Sequence, residues 1–343
     1  MSRPDSANDE SVRPLARGLA SSVGLGDVHA LSRLAGGKNN QVYRIDTESG
    51  RPLVLKRYFS DPRDPRDRLG AEWSFLTLAW TRGIRCIPEP LACDPSAHAA
   101  LYGFVEGRKL HADELASAHI DAAIDFVIAI NARPRAGLAS ASEACFSLSQ
   151  HVATVDRRVA RLTALDPAAP LAGDALSFVS TRLRPAWDAV QSRLAAEARN
   201  AGLAMDQEVS HADCCLSPSD FGFHNALVDE DGHVHFLDFE YAGRDDPAKL
   251  VVDFFCQPEV PVPAEYRDRF IARLAGGLPL HDVALARCGI LLDACRVKWA
   301  CILLNDFLPD GAARRAFADV GERDARCAAQ LEKAKAKLAE IRP

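Results

Sequence analysis

The chain has 343 residues, 48% hydrophobic and 26% charged, an ordinary globular composition long enough for two lobes and a sizeable core. A formal net charge of −6 argues against a general nucleic-acid binder. The longest apolar stretch, about 283–304, is interrupted by Arg287, Asp293, Arg296 and Lys298, so it does not read as a membrane span.

Residues 1–10 are polar and read as disordered, and a short helix is expected over 12–22. A β-rich region follows, with strands expected at 28–34, 41–45, 53–57, 91–93 and 100–104. Gly36-Gly37-Lys38-Asn39-Asn40 forms a glycine-containing turn between the first two strands. Lys56 sits near the end of the third. Residues 61–68 make a charged, proline-punctuated loop, and Leu69, Trp73, Leu76 and Trp80 then recur at helical spacing over 68–82. Beyond residue 107 the chain turns helical. Ile120, Ile124, Val127 and Ile128 share one helix face, and a helix within 174–200 is disturbed by Pro185. Further helices are expected at 264–275, 281–305 and 311–339. Runs of strands followed by runs of helices give an α+β arrangement.

One stretch interrupts the helices. Residues 216–240 hold Asp220, Asn225 and Asp238 around two short apolar runs and an Asp231-Gly232 turn signal, which reads as a β-hairpin. A hairpin brings Asn225 and Asp238 to one end, beside the loop carrying Asp220. Two carboxylates and an amide suit a Mg²⁺ ion with bound phosphate, leaving one carboxylate for a hydroxyl proton. The wider segment 201–262 carries thirteen Asp/Glu against Arg244 and Lys249 alone. That excess fits a metal site and leans toward an amine-bearing substrate; a solvated acidic surface explains most of it equally well.

The ten cysteines are scattered, with no C-x-x-C pair or Cys/His zinc spacing, and several lie in apolar helical contexts. His211, His224, His233 and His235 lack a matching third zinc ligand and read as solvent-facing. With no signal peptide at the N-terminus, a cytoplasmic location is expected.

The 216–240 segment resembles the catalytic loop and metal-binding segment of the aminoglycoside phosphotransferase and choline kinase family, which has a two-lobed protein-kinase-like fold. The resemblance runs over about 30–260. It implies an N-terminal extension at 1–27, a nucleotide-binding lobe at 28–105 and a catalytic, substrate-binding lobe at 106–343. It implies Asp220 as catalytic base and Asn225 and Asp238 as metal ligands. Lys56 is implied to grip nucleotide phosphates, held by Glu72 on the following helix. The Gly36-Gly37 turn with Asn40 would approach phosphate oxygens through backbone and side-chain N–H groups. Phe104, Val105 and Glu106 fall where the family has its hinge and would meet adenine mainly through the backbone. Asp253 would brace the catalytic loop. Arg296, Lys298 and Trp299 could line a substrate cleft, or belong to a mixed amphipathic helix.

Two departures stand out. Pro218 occupies the place of the family's usual histidine; more mildly, Asp238 is followed by Phe239-Glu240 and not Phe-Gly, as is common in small-molecule kinases of this kind. The implied activity is transfer of the γ-phosphoryl of ATP, with Mg²⁺, to a hydroxyl of a sugar, aminosugar, amino alcohol or aminoglycoside-like acceptor. The implied protein works as a monomer or homodimer without nucleic-acid or membrane partners. A catalytically inactive nucleotide-binding regulator is the rival reading. A protein kinase is disfavoured by the missing Ala-Pro-Glu motif and activation segment.

Overall fold

The computed structural model of the chain describes residues 11–34, 40–62, 64–133, 137–309 and 323–342. The Gly36-Gly37 turn, the segment 1–10 and the first part of the helix expected at 311–339 lie outside the described residues.

The first part is a five-stranded antiparallel sheet with a helix on each face. In chain order it comprises α1 (Arg13–Ser22), β1 (Val28–Arg33), β2 (Gln41–Thr47), β3 (Pro52–Arg57), α2 (Arg68–Thr81), β4 (Pro90–Asp94) and β5 (Ala99–Gly103). The sheet order is β1-β2-β3-β5-β4. Alternation along the strands sets the two faces. Tyr43, Ile45, Leu53, Leu55 and Leu101 pack with Ala16, Leu19 and Ala20 of α1. Ala100 and Tyr102 turn the other way, toward Phe75, Leu76 and Ala79 of α2, and join the main core. Lys56, paired with Ala100 across β3 and β5, belongs to this second face. Asp67 caps α2 by accepting from the Gly70 N–H at 2.8 Å, which fixes where the helix begins.

The rest is mainly helical: β6 (Arg108–Lys109), α3 (Ser117–Asn131), α4 (Leu148–Arg161), α5 (Ala172–Phe178) and α6 (Arg184–Asn200) precede the catalytic segment. A π-helical turn, Val179–Leu183, runs directly into α6 and stands where Pro185, the second residue of α6, has no N–H to give to the preceding turn. Then come β7 (Cys215–Ser217), β8 (Ala226–Val228), β9 (Val234–Phe236), β10 (Gly243–Asp245), α7 (Pro247–Cys256), α8 (Arg267–Leu274), α9 (Asp282–Leu303) and α10 (Arg323–Ala339). Helix α9 is the central post, packed against α4, α6, α7 and α10. Among the described residues no helix is long and apolar enough to cross a membrane.

The expected hairpin is β8–β9, with Ala226 opposite Phe236. Its Leu237 N–H donates to the Asn225 carbonyl at 2.8 Å, which closes the end where Asn225 and Asp238 meet. β6 adds a third strand beside β8. There Gly107, at φ +146°, passes so close that a Cβ would stand 2.8 Å from the Val228 carbonyl. Beneath the hairpin lies a run of phenylalanines: Phe75 stacks on Phe239 with centroids 4.8 Å apart, Phe126 on Phe236 at 4.9 Å and Phe254 on Phe270 at 4.5 Å. Phe221 and Phe239 directly follow Asp220 and Asp238, so each carboxylate is anchored to the core by its neighbour.

Candidate active site

The loop carrying Asp220 is clamped at both ends. Asn131, at the end of α3, donates to the Leu216 carbonyl at 3.0 Å and accepts from the Leu216 N–H at 2.8 Å, which fixes β7 just before the loop. Ser217 Oγ accepts from the Ser219 N–H at 3.0 Å. Ser219 has φ +69°, a left-handed conformation that is strained for a serine. Asn225 Nδ2 donates to the Asp220 carbonyl at 3.0 Å, which ties the metal-ligand candidate to the catalytic turn and leaves its amide oxygen for a cation. Asp238 also has positive φ, +65°. Strain of this kind, of order 1–3 kcal/mol per residue, persists only where surrounding contacts over-determine it.

Asp238 meets the sheet through Lys56. The lysine Nζ lies 2.6 Å from Asp238 Oδ1 and 2.6 Å from Glu72 Oε2. Glu72 is buried and does more than hold Lys56. The same Oε2 accepts from the Tyr58 hydroxyl at 2.8 Å, and Oε1 accepts from the Phe239 N–H at 3.2 Å. One carboxylate on α2 thus fixes both Lys56 and the backbone beside Asp238. Burial opposes charge on Lys56, but Asp238, Glu72 and Glu240 outweigh it and hold its ammonium well above the ordinary lysine value.

Glu240 is buried and accepts from Asn40 Nδ2 at 2.6 Å. The amide of Asn40, expected to add a phosphate donor, gives an N–H to Glu240 across the site. Burial first, and the nearby Asp238 charge second, push the Glu240 carboxyl above its usual range. At the expected hinge, the Phe104 N–H is taken by the Pro52 carbonyl at 3.2 Å, and Arg44 lies over the Phe104 ring at 4.7 Å. Glu106 is exposed.

Asp220 keeps about a third of its side chain exposed (35%). His224 Nε2 stands 3.2 Å from its Oδ1, while His224 Nδ1 is buried without a hydrogen-bond partner. Burial would raise the Asp220 carboxyl, but the hydrogen bond and charge of His224, with Lys298 beyond, hold it below the ordinary range despite the Asp253 charge. His224, expected to face solvent, is instead brought to Asp220 by a single tight turn, a contact signalled by their four-residue spacing. His233 and His235 instead converge on Asp229, at 3.3 and 2.9 Å, and His211 is exposed.

Asp253, expected to brace the catalytic loop, faces α9 instead. Its carboxylate meets Lys298 Nζ, lies 3.5 Å from Lys249 Nζ and accepts from Cys295 Sγ at 3.1 Å. It sits on the buried side of α7, and the two lysines outcompete the loop for it. Bracing falls to Asn131 and Ser217. Lys298, Lys249 and Asp253 line a recess with Glu143, His151 and Thr154. Of the three α9 residues expected at a substrate cleft, Lys298 lines this recess, whereas Arg296 pairs with Asp293 at 2.7 Å and the Trp299 indole N–H is buried without a partner.

Residues 30–286 match the phosphotransferase enzyme family. A search of curated proteins gives no match. Among solved structures, the chain is similar to a choline kinase from Streptococcus pneumoniae, with 13% identity over 96% of this chain and 100% of that one, at a TM-score of 0.58. It is similar to a spectinomycin phosphotransferase in complex with ADP and spectinomycin, with 14% identity, 98% and 99% coverage and a TM-score of 0.58. It is also similar to an amicoumacin kinase in complex with AMP-PNP, Ca²⁺ and its antibiotic, with 16% identity, 98% and 96% coverage and a TM-score of 0.56. At these identities the likeness is one of fold, and it bears out the two-lobed protein-kinase-like α+β architecture.

Proposed function

The chain belongs to the phosphotransferase enzyme family, and from that premise we propose that it transfers the γ-phosphoryl group of ATP to a hydroxyl of a small polar acceptor. The observation that carries this reading is Lys56 bridging Glu72 and Asp238 at 2.6 Å each, on the hairpin end that also holds Asn225 and adjoins Asp220. Asp220 takes the acceptor proton. Its depressed pKa keeps it ionised, and so able to accept, across the neutral range. Lys56 neutralises nucleotide phosphate charge, and Glu72 keeps it aimed. The full set of Lys56, Glu72, Asp220, Asn225 and Asp238 gives no support to a catalytically inactive protein.

The donor set fits Mg²⁺. Asn225 and Asp238 offer hard oxygen ligands, an amide oxygen and a carboxylate at the same end of the hairpin. Bound there, the ion supplies charge neutralisation on the phosphates; positioning is left to the protein.

ADP release measured over a panel of hydroxyl compounds tests the reading. Asp220→Ala should lower turnover by about 10²–10⁴. Near-wild-type turnover in that variant would remove Asp220 from its role.

A further inference from the structure

Resting on that phosphotransferase reading, we infer that Tyr58 and Tyr102 are positioning residues of the nucleotide site: a buried hydroxyl relay runs from Tyr102 to Tyr58 to Glu72 and thereby holds Lys56 on the phosphates.

Strand register builds the relay. Lys56 and Tyr58 are two residues apart and share one face of the sheet, as do Ala100 and Tyr102. Lys56 pairs with Ala100 and Val54 with Tyr102, while the Tyr58 N–H donates to the His98 carbonyl at 2.8 Å and carries the ladder one step past β3. The two tyrosines therefore flank the Lys56–Ala100 rung from opposite sides, and the short Ala100 side chain leaves room between them. Their hydroxyls meet at 2.7 Å, and the Tyr58 hydroxyl goes on to Glu72 Oε2 at 2.8 Å. Tyr58, Tyr102 and Glu72 are 4%, 3% and 3% exposed, so water does not replace these partners.

The direction of the relay follows from a count of protons. A phenol has one to give. That of Tyr58 goes to the Glu72 carboxylate, so the contact between the hydroxyls is a donation from Tyr102 to the Tyr58 oxygen. Burial first, and the Glu72 charge second, raise both phenols well above their ordinary value, so each keeps its proton across the neutral range. A hydroxyl that accepts a hydrogen bond also donates more strongly, so Tyr102 strengthens the grip of Tyr58 on Glu72.

That grip falls on the oxygen Lys56 uses. Glu72 Oε2 takes Lys56 Nζ at 2.6 Å, and Asp238 competes for the same ammonium at 2.6 Å. A lysine head on a flexible four-carbon stem reaches several acceptors, so its aim depends on how firmly the acceptor is held. The other donor to Glu72, the Phe239 N–H, is longer, at 3.2 Å, and meets the other oxygen. Tyr58 is thus the rigid donor on Oε2. Its ring adds a second hold, with Lys56 Nζ 5.0 Å from the centroid.

Tyr58→Phe keeps the ring and removes the donor. It should weaken Mg·AMP-PNP binding by about three- to tenfold in calorimetry, and Tyr102→Phe should weaken it less. Because Tyr102 acts only through Tyr58, adding Tyr102→Phe to Tyr58→Phe should cause no further loss of nucleotide affinity. Adenosine, which has no phosphate for Lys56, should bind wild type and variants alike. Tyr102→Phe carries the test if Tyr58→Phe does not fold. A lower melting temperature with unchanged Mg·AMP-PNP affinity would make the hydroxyl pair a packing contact and overturn the relay while leaving phosphotransfer standing. Additive losses in the double variant, or an equal loss of adenosine binding, would do the same. Absence of Mg·AMP-PNP binding to the wild-type protein would overturn both.

Discussion

His224 Nε2 lies 3.2 Å from Asp220 Oδ1, four residues along the same tight loop. Pro218 removes the histidine that would ordinarily stand before the catalytic aspartate, and His224 is the imidazole that remains beside it. Its other nitrogen is buried and unsatisfied, so the ring makes a single polar commitment, to the base. A carboxylate held in one orientation reacts faster than one free to rotate, and a misplacement of about 1 Å can cost on the order of 10² in rate. His224→Ala is therefore expected to lower kcat by roughly 10–10² with little change in Mg·AMP-PNP affinity. His224→Gln, which restores an N–H near the same position, should recover part of the loss. Steady-state kinetics with calorimetry of nucleotide binding separates the two effects; unchanged kcat in His224→Ala would show the contact to be incidental.

Glu72 accepts three donors from two parts of the chain: Lys56 and the Tyr58 hydroxyl at the end of β3, and the Phe239 N–H. Replacing it with alanine takes one of two carboxylate partners from the buried Lys56 ammonium, which keeps Asp238, and one of two partners from the Tyr58 hydroxyl, which keeps Tyr102 at 2.7 Å. Breaking a buried ion pair from one side typically costs about 3–5 kcal/mol. Glu72→Ala should therefore lower the melting temperature by several degrees and weaken nucleotide binding together. A variant that loses nucleotide affinity at unchanged stability would show that Glu72 aims Lys56 without holding the lobes.

Asp238 combines a strained backbone, φ +65°, with a carboxylate shared with Lys56. Asp238→Asn keeps the shape but halves the acceptor capacity and removes the charge. AMP-PNP affinity in the wild-type protein should rise when Mg²⁺ is added to an EDTA-treated sample, and in Asp238→Asn that gain should largely vanish. Calorimetry in both conditions reads it directly. An equal Mg²⁺-dependent gain in the variant would move the metal role elsewhere.

What the sequence made legible was local. The five strands, the hairpin and the spacing of Asp220, Asn225 and Asp238 follow from short-range alternation and turn chemistry, and the structure places them within a few residues of the expected positions. Lys56 and Glu72 were legible because they sit on consecutive elements, β3 and α2, sixteen residues apart. Helices α4 and α7 were missed although both carry local signals: Ser147 accepts from the Gln150 N–H, and Asp246 caps a helix whose first residue is Pro247. The remaining misses are long-range. Asn40 and Glu240 meet across 200 positions, and Asn131 clamps Leu216 across 85. The pairing of acidic-segment carboxylates with Arg287 and Lys298 likewise depends on helix packing that a charge count along the chain does not show.

His151 gives a pH signature of that packing. Its side chain is 11% exposed, and Nε2 stands 3.5 Å from Asp246 Oδ2. Burial works against the imidazolium, but Asp246 and Cys145 raise its pKa from 6.5 to about 9. A base whose folded pKa exceeds its unfolded one stabilises the fold fully below the unfolded value, and that stabilisation disappears as pH rises through the folded value. Here the contribution, at most on the order of 3 kcal/mol, should be complete below about pH 6.5 and gone above about pH 9. Asp246, held ionised by Arg287 as well, does not titrate in that window. The Cys145 thiol, pulled down by His151 against its burial, does, so the comparison belongs in a Cys145→Ser background. In that background the melting-temperature deficit of His151→Gln should be larger at acidic than at alkaline pH. A deficit that stayed constant, or grew as pH rose, would mean that the ring is buried neutral and that Asp246 relies on Arg287 alone.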